Sequence, residues 1–254
     1  MGNTIIASIF KEITHKRRYL MNTVFSVAMF YVIFLALLGG ARLFLGAFNY
    51  GDTLLGLVVG FYSWTMMLAV FTSNGYIVED NKLYGTIETI TANSTGLTLV
   101  LITEAAVSIV FYFVFSIFNL FLYSVTARVP IAYNIISILV IMLIGLSSVF
   151  GVSLLVAGIT LLIRKASNIL SILQFALLGF LLLPPSMTVK ITVPFSCAST
   201  LLRTIMLKDE TILELPFSDL LYLLINAIIY LSLGIAAFQL CFTYARKKGV
   251  LGYY

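Results

Sequence analysis

Of the 254 residues, 61% are apolar and 10% are charged, against roughly 25% charge in soluble domains. A mean hydropathy of +1.09 is more than one soluble core of this size can bury, so lipid is the solvent; the same figures exclude disorder, coiled coil and collagen. The net charge of +5 carries no nucleic-acid reading, because the Lys and Arg residues flank apolar runs instead of gathering on a soluble face.

The chain reads as one transmembrane domain over residues 1–254, all-α and polytopic. It opens with Ile5, Ile6, Ile9, Phe10 and Ile13 on one helical face and Asn3, Lys11, Glu12 and Lys16 on much of the rest. That periodicity predicts an amphipathic helix over residues 1–18 lying at the cytoplasmic interface; a frayed basic tail is the competing reading. A cleavable signal is not expected. The apolar run that follows is too long, and no small-x-small site closes it.

Six charge-free runs come next, at 19–41, 53–78, 105–127, 129–163, 166–189 and 220–245. Each exceeds the roughly 20 helical residues that cross a ~30 Å hydrocarbon layer. Their apolar residues are continuous instead of alternating, so they are helices and not barrel strands. The fourth is long enough for tilt or an extension beyond the lipid. Gly56-x-x-x-Gly60, Ser147-x-x-x-Gly151 and Ser153-x-x-x-Ala157 within these runs permit close helix packing.

An even number of spans places both termini on one side. Ten of the 15 Lys and Arg residues fall there, including Lys11, Lys16, Arg17 and Arg18 at one end and Arg246, Lys247 and Lys248 at the other. The positive-inside rule makes that side the cytoplasm. Residues 184–219 then form an external segment. With Pro184, Pro185, Pro194 and Pro216 and no run long enough to span, they fit short re-entrant helices, or else an ordinary loop. Cys197 and Cys241 lie near opposite faces in this topology and do not pair.

Catalytic constellations are missing. There is no HExxH, GxSxG or GxxxxGK[ST], and the single histidine, His15, has no ligand set around it. No redox or zinc spacing joins the two cysteines. The six runs also lack Asp, Glu, Lys, Arg and His, the groups by which ion-coupled carriers usually bind the driving ion. Glu104 sits at the cytoplasmic start of the third run, within reach of the headgroups. Energy for uphill transport is therefore expected from outside the membrane.

Between the second and third runs lies Glu79-Asp80-Asn81-Lys82-Leu83-Tyr84-Gly85-Thr86-Ile87-Glu88. It is too polar to span; Gly85 permits a bend, and Leu83, Ile87 and Ile90 fall on one helical face. Taken alone it is equally readable as a solvated linker over 79–98. With the amphipathic first helix, the acidic residue before Gly-Thr-x-Glu, the proline-rich segment after the fifth run and the closing Ala245-Arg246-Lys247-Lys248-Gly249, however, the chain resembles the permease subunits of the ABC type-2 transporter family. It is similar to the small six-span permeases of bacterial peptide-toxin, bacteriocin or drug exporters. One departure is the lack of a proline in 92–96, where many relatives carry one.

The resemblance implies a coupling site at Glu79, Tyr84, Gly85, Thr86, Ile87 and Glu88, docked on a separate ABC ATPase. Two ATPase copies would bind ATP and Mg, leaving no cofactor in this chain and making it no enzyme by itself. It also implies a second permease copy, most simply a homodimer and otherwise a sister permease, in a bacterial plasma membrane. An uncharged path lined by Phe, Leu, Ile, Tyr and Met suits amphipathic or hydrophobic peptides. Hydrophobic drugs or lipids are the alternative cargo, and an ion-coupled secondary transporter is the alternative class.

Overall fold

The structure, a computed structural model, describes residues 6–7, 9–10, 13–14, 17–18, 20–44, 50–87, 90, 97–163, 170–174, 177 and 186–249. Its helices are α1 (Leu20–Phe44), α2 (Tyr50–Leu83), α3 (Leu97–Ala127), α4 (Ile135–Leu162), α5 (Met187–Thr192), α6 (Ser196–Lys208) and α7 (Phe217–Lys248). Among the described residues there is no strand. α1, α2, α3, α4 and α7 are long and apolar enough to cross a membrane, where only a helix satisfies every backbone group within one segment. The chain is an all-α polytopic membrane protein.

Several predicted boundaries move. The third long helix begins at Leu97 instead of 105, which puts Glu104 inside its second turn. The fourth begins at Ile135 instead of 129. Arg128 turns left-handed at φ 57°, Pro130 follows, and the Asn134 side chain caps the new helix by accepting from the Ser137 amide at 3.4 Å. Apolar composition alone could not mark this break. In the fifth predicted run, residues 170–174 and 177 are helical; Ser186 caps α5, 187–189 belong to it, and the remainder lies outside the described residues. Described positions between 6 and 18 are helical and exposed, with Ile6, Ile9, Phe10 and Ile13 among them.

Side-chain pairings give the helix directions. α3 runs antiparallel to α2: Tyr62 meets Ser116 at 3.4 Å, and Val78 shares an apolar cluster with Leu97 and Leu101. α1 joins them through an aromatic junction, where Phe34 stacks on Tyr123 at 4.5 Å and tilts against Phe61 at 5.5 Å. α4 runs parallel to α2, since the Asn74 amide donates to Ser153 Oγ at 3.3 Å and Lys82 reaches Thr160 and Ile163 further along. α7 is parallel to α4 as well.

The α4–α7 contact is backbone against backbone. A Cβ on Gly151 would lie 2.1 Å from the Tyr230 carbonyl oxygen, and one on Gly234 would lie 2.0 Å from that of Gly151. Two turns on, Gly158 faces Cys241. Small residues therefore set this spacing, as they do in helix pairs that cannot rely on a hydrophobic drive within lipid. Ser147, its motif partner, instead lines a groove between α3 and α4. In the Gly56/Gly60 motif, a Cβ on Gly60 would meet no atom beyond its own helix within 4 Å among the described residues and one on Gly56 would meet the Arg203 guanidinium, so among those residues neither draws two long helices together.

Parallel α4 and α7 require the chain between them to travel from the level of Ile163 back to that of Phe217. Leu170 packs at Gly75, beside the second half of α4, and Lys190 pairs with Asp219 at 2.8 Å, near the level of Phe217. The chain then dips: the Phe195 amide donates to Ser148 Oγ at 3.0 Å, at mid-length of α4. Phe195 takes a left-handed φ of 66° at this turn. Around it Asn226 Nδ2 donates to the Ile191 carbonyl at 2.7 Å, and the Tyr230 hydroxyl to that of Thr192. α6 climbs back, with Ala198, Leu201, Leu202 and Ile205 buried in the main core, to where the Ala132 amide meets the Met206 carbonyl at 3.3 Å. Cys197 and Cys241 are both free.

Candidate functional site: the turn after α2

α2 ends in a hydrogen-bonded turn. The Tyr84 amide donates to the Asp80 carbonyl at 2.9 Å and the Gly85 amide to that of Lys82 at 3.0 Å, with Gly85 at φ 65°. This is the left-handed close for which glycine is the natural residue. The Thr86 hydroxyl then reaches back to Asn81 Oδ1 at 2.8 Å, while Asn81 Nδ2 donates to the Ile77 carbonyl at 2.8 Å. Gly85→Val should cost about 1–2 kcal/mol, the penalty of a branched residue in that region, and Gly85→Asn clearly less. Thermal unfolding of both variants in lipid nanodiscs checks the order.

Two anchors hold the turn on the bundle. Ile87 is 0% exposed, in a cluster with Val78, Leu97, Leu101, Leu154, Leu161 and Phe238; the ends of α2, α3, α4 and α7 all contribute. Lys82 Nζ donates to the carbonyls of Thr160 and Ile163 at 2.8 and 2.9 Å. An ammonium there satisfies terminal carbonyls of α4 and faces the negative end of its dipole. The turn is thus fastened to α4 by charge and to four helices by apolar contact.

What projects is different in kind. Leu83 is 74% and Tyr84 77% exposed, with Asp80 and Thr86 exposed beside them. Leu83 and Ile87 do not share a face, because the Gly85 turn swings one outward and the other into the core. Of the residues expected to couple, Tyr84 and Thr86 lie on the exposed side. Gly85 shapes the turn, Glu79 is half-buried, and Ile87 is an anchor. Glu88 lies outside the described residues. Sequence reading missed the role of Lys82 and counted it only as a topological charge; a basic residue in a helix's last turn was the available signal.

Other features are sparser. Among the described residues, no group of three or more His, Cys, Asp or Glu side chains is placed to hold a metal. A cavity of about 100 Å³ between α1, α2 and α3 is lined by Phe30, Met66 and Phe115 together with Thr65, Ser116 and Asn119. The groove between α3 and α4 measures about 440 Å³; Ile109, Phe113, Leu143 and Phe150 line it, with Ser147 as its one hydroxyl among the described residues. Asn74 is fully buried between α2 and α4, and neither amide atom of its side chain has a partner among the described residues. No family model, no curated protein and no solved structure matches this chain.

Proposed function

We propose that this chain is the transmembrane permease subunit of an ATP-driven exporter, worked through the turn after α2 by a separate ATPase. The observation that carries the reading is the division of that turn into a fastened inner side, Lys82 and Ile87, and an exposed knob of Leu83 and Tyr84. Large apolar side chains held out on a rigid, polar turn are what a docking surface needs. A lever must also be stiff where it joins its load.

In this reading the protein has six spans, the fifth within 166–189, and both termini in the cytoplasm of a bacterial cell. The parallel course of α4 and α7 supports the extra crossing, because one more passage through the bilayer has to separate them. The dip at Phe195 supports a re-entrant pair in α5 and α6, and the exposed Ile6, Ile9, Phe10 and Ile13 support an interfacial first helix. Two ATPase copies bind ATP and Mg and do the hydrolysis. A second permease copy completes the path, and the cargo is an amphipathic or hydrophobic peptide. Export of hydrophobic drugs or lipids is the second reading, favoured by the apolar groove between α3 and α4.

Affinity capture of the tagged chain from its native membranes, with 8-azido-ATP photolabelling, tests the class. Retention of a photolabelled ATPase is expected, with its loss in Leu83→Asp and Tyr84→Asp variants that still insert. Inverted vesicles holding the complex should take up a dansylated amphipathic helical peptide only with ATP. Uptake by the purified chain alone, driven by a sodium or proton gradient, would overturn the proposal.

A further inference from the structure

We infer that Lys82 is the mechanical joint between the turn and the α4–α7 pair, a positioning residue without which motion at the turn does not reach the spans; its part in export rests on the reading above. The geometry is that of a link fixed at both ends. The backbone carbonyl of Lys82 accepts from Gly85, which closes the turn, while its ammonium holds the carbonyls of Thr160 and Ile163. Only 7% of the residue is exposed, so water does not compete freely for those bonds.

The far end of the link is the close of α4. α4 stops at Ile163 in extended backbone, φ −106° and ψ 139°, without a glycine turn to cap it. A helix leaves terminal carbonyls without internal partners, and here α2 supplies a donor to two carbonyls at the end of α4. α4 in turn is keyed to α7 at Gly151 and Gly234, where neither helix has a side chain to yield. The Ile87 cluster also touches these helices, but apolar contacts are non-directional and permit sliding. A charged donor on two fixed carbonyls does not. Displacing the turn therefore carries α4, and with it α7, as one body.

Cys241 reports on that pair. It sits on α7 against Gly158, its Cβ 3.1 Å from where a Cβ on Gly158 would lie. The buried Cys197 serves as the unreactive control. In nanodiscs, Lys82→Met leaves the α4 end at Thr160 and Ile163 unheld, so that end frays from Cys241. Alkylation by N-ethylmaleimide then rises about tenfold, while Lys82→Arg keeps it within about threefold. An unchanged rate in a folded Lys82→Met variant overturns the inference. In the complex with its ATPase, Lys82→Met should lower peptide export per ATP hydrolysed about tenfold, and Lys82→Arg should restore most of it. A purely structural cap would lower the amount of complex and leave that ratio unchanged.

Should Lys82→Met fail to fold, pulsed acetylation of the wild-type chain decides the geometry. Lys82 is expected to react at least about tenfold more slowly than Lys247 and Lys248. Equal acetylation, or an unchanged export ratio in a folded Lys82→Met complex, overturns the inference. A wild-type chain that retains no ATPase removes the exporter reading and the export role of Lys82 with it. The alkylation and acetylation arms still decide whether the joint exists.

Discussion

Gly234→Ala loses about 3 kcal/mol or more of stability, and Gly234→Leu does not assemble the native bundle. A methyl at that position would stand 2.0 Å from the backbone oxygen of Gly151, and a backbone atom cannot rotate aside as a side chain can. To restore ordinary contact the two helices must part by more than an ångström along their main packing seam, beyond the usual range of about 1–3 kcal/mol for overpacking. Gly151→Ala meets the Tyr230 carbonyl at 2.1 Å and fails for the same reason. Because both changes wedge open one contact, the double variant should cost less than the two single costs added together. Gly60→Ala is the control: with no atom beyond its own helix within 4 Å of its Cβ among the described residues it should change stability by no more than about 0.5 kcal/mol. Thermal unfolding in nanodiscs measures all four. Similar losses at Gly60 and Gly234 would show that the close crossing does not set the cost, since helix propensity favours alanine at both positions.

Ile87→Asp destabilises the protein by about 4 kcal/mol or more, while Tyr84→Asp, three residues away, leaves stability within about 0.5 kcal/mol. Ile87 is fully buried among side chains from four helices. Truncating such a residue costs about 2–5 kcal/mol before any charge is considered. A carboxylate in its place must either lose its solvation or take up a proton, and both add to the loss. Tyr84 is mostly exposed, so its replacement touches only what docks there. Unfolding midpoints separate anchor from knob, and the ATPase capture experiment should show the reverse order of severity per unit of stability lost. If Tyr84→Asp unfolds the turn, the division into an inner and an outer side is wrong.

The lipid environment and the positions of the long helices were legible because burial in a bilayer demands unbroken apolar runs, which composition records directly. Their ends were less so. Charge-free length put the third helix's start at 105, yet Glu104 sits within α3, since a single carboxylate near a helix end does not break backbone hydrogen bonding. The opposite error occurred at 129–134, where the charge-free run continues past Arg128 but the left-handed turn at Arg128, Pro130 and the Asn134 cap delay the helix to Ile135. Gly85 could be read locally, for a glycine after a helix speaks for itself. Gly234 could not be singled out, because its meaning depends on Gly151 of another helix. The same holds for Lys82, whose acceptors lie on α4; nothing near it in sequence says which helix end it will cap.

Asn74 has a thermodynamic consequence of its own. Its side-chain amide is held between α2 and α4 with no protein partner among the described residues, so full hydration would gain it hydrogen bonds that the neighbouring side chains do not offer. That gain, about 1–3 kcal/mol for a polar group of this kind, offsets part of the dispersion lost when the two helices separate. It enriches a wetted, parted form roughly five- to 150-fold over what an all-hydrocarbon seam would populate.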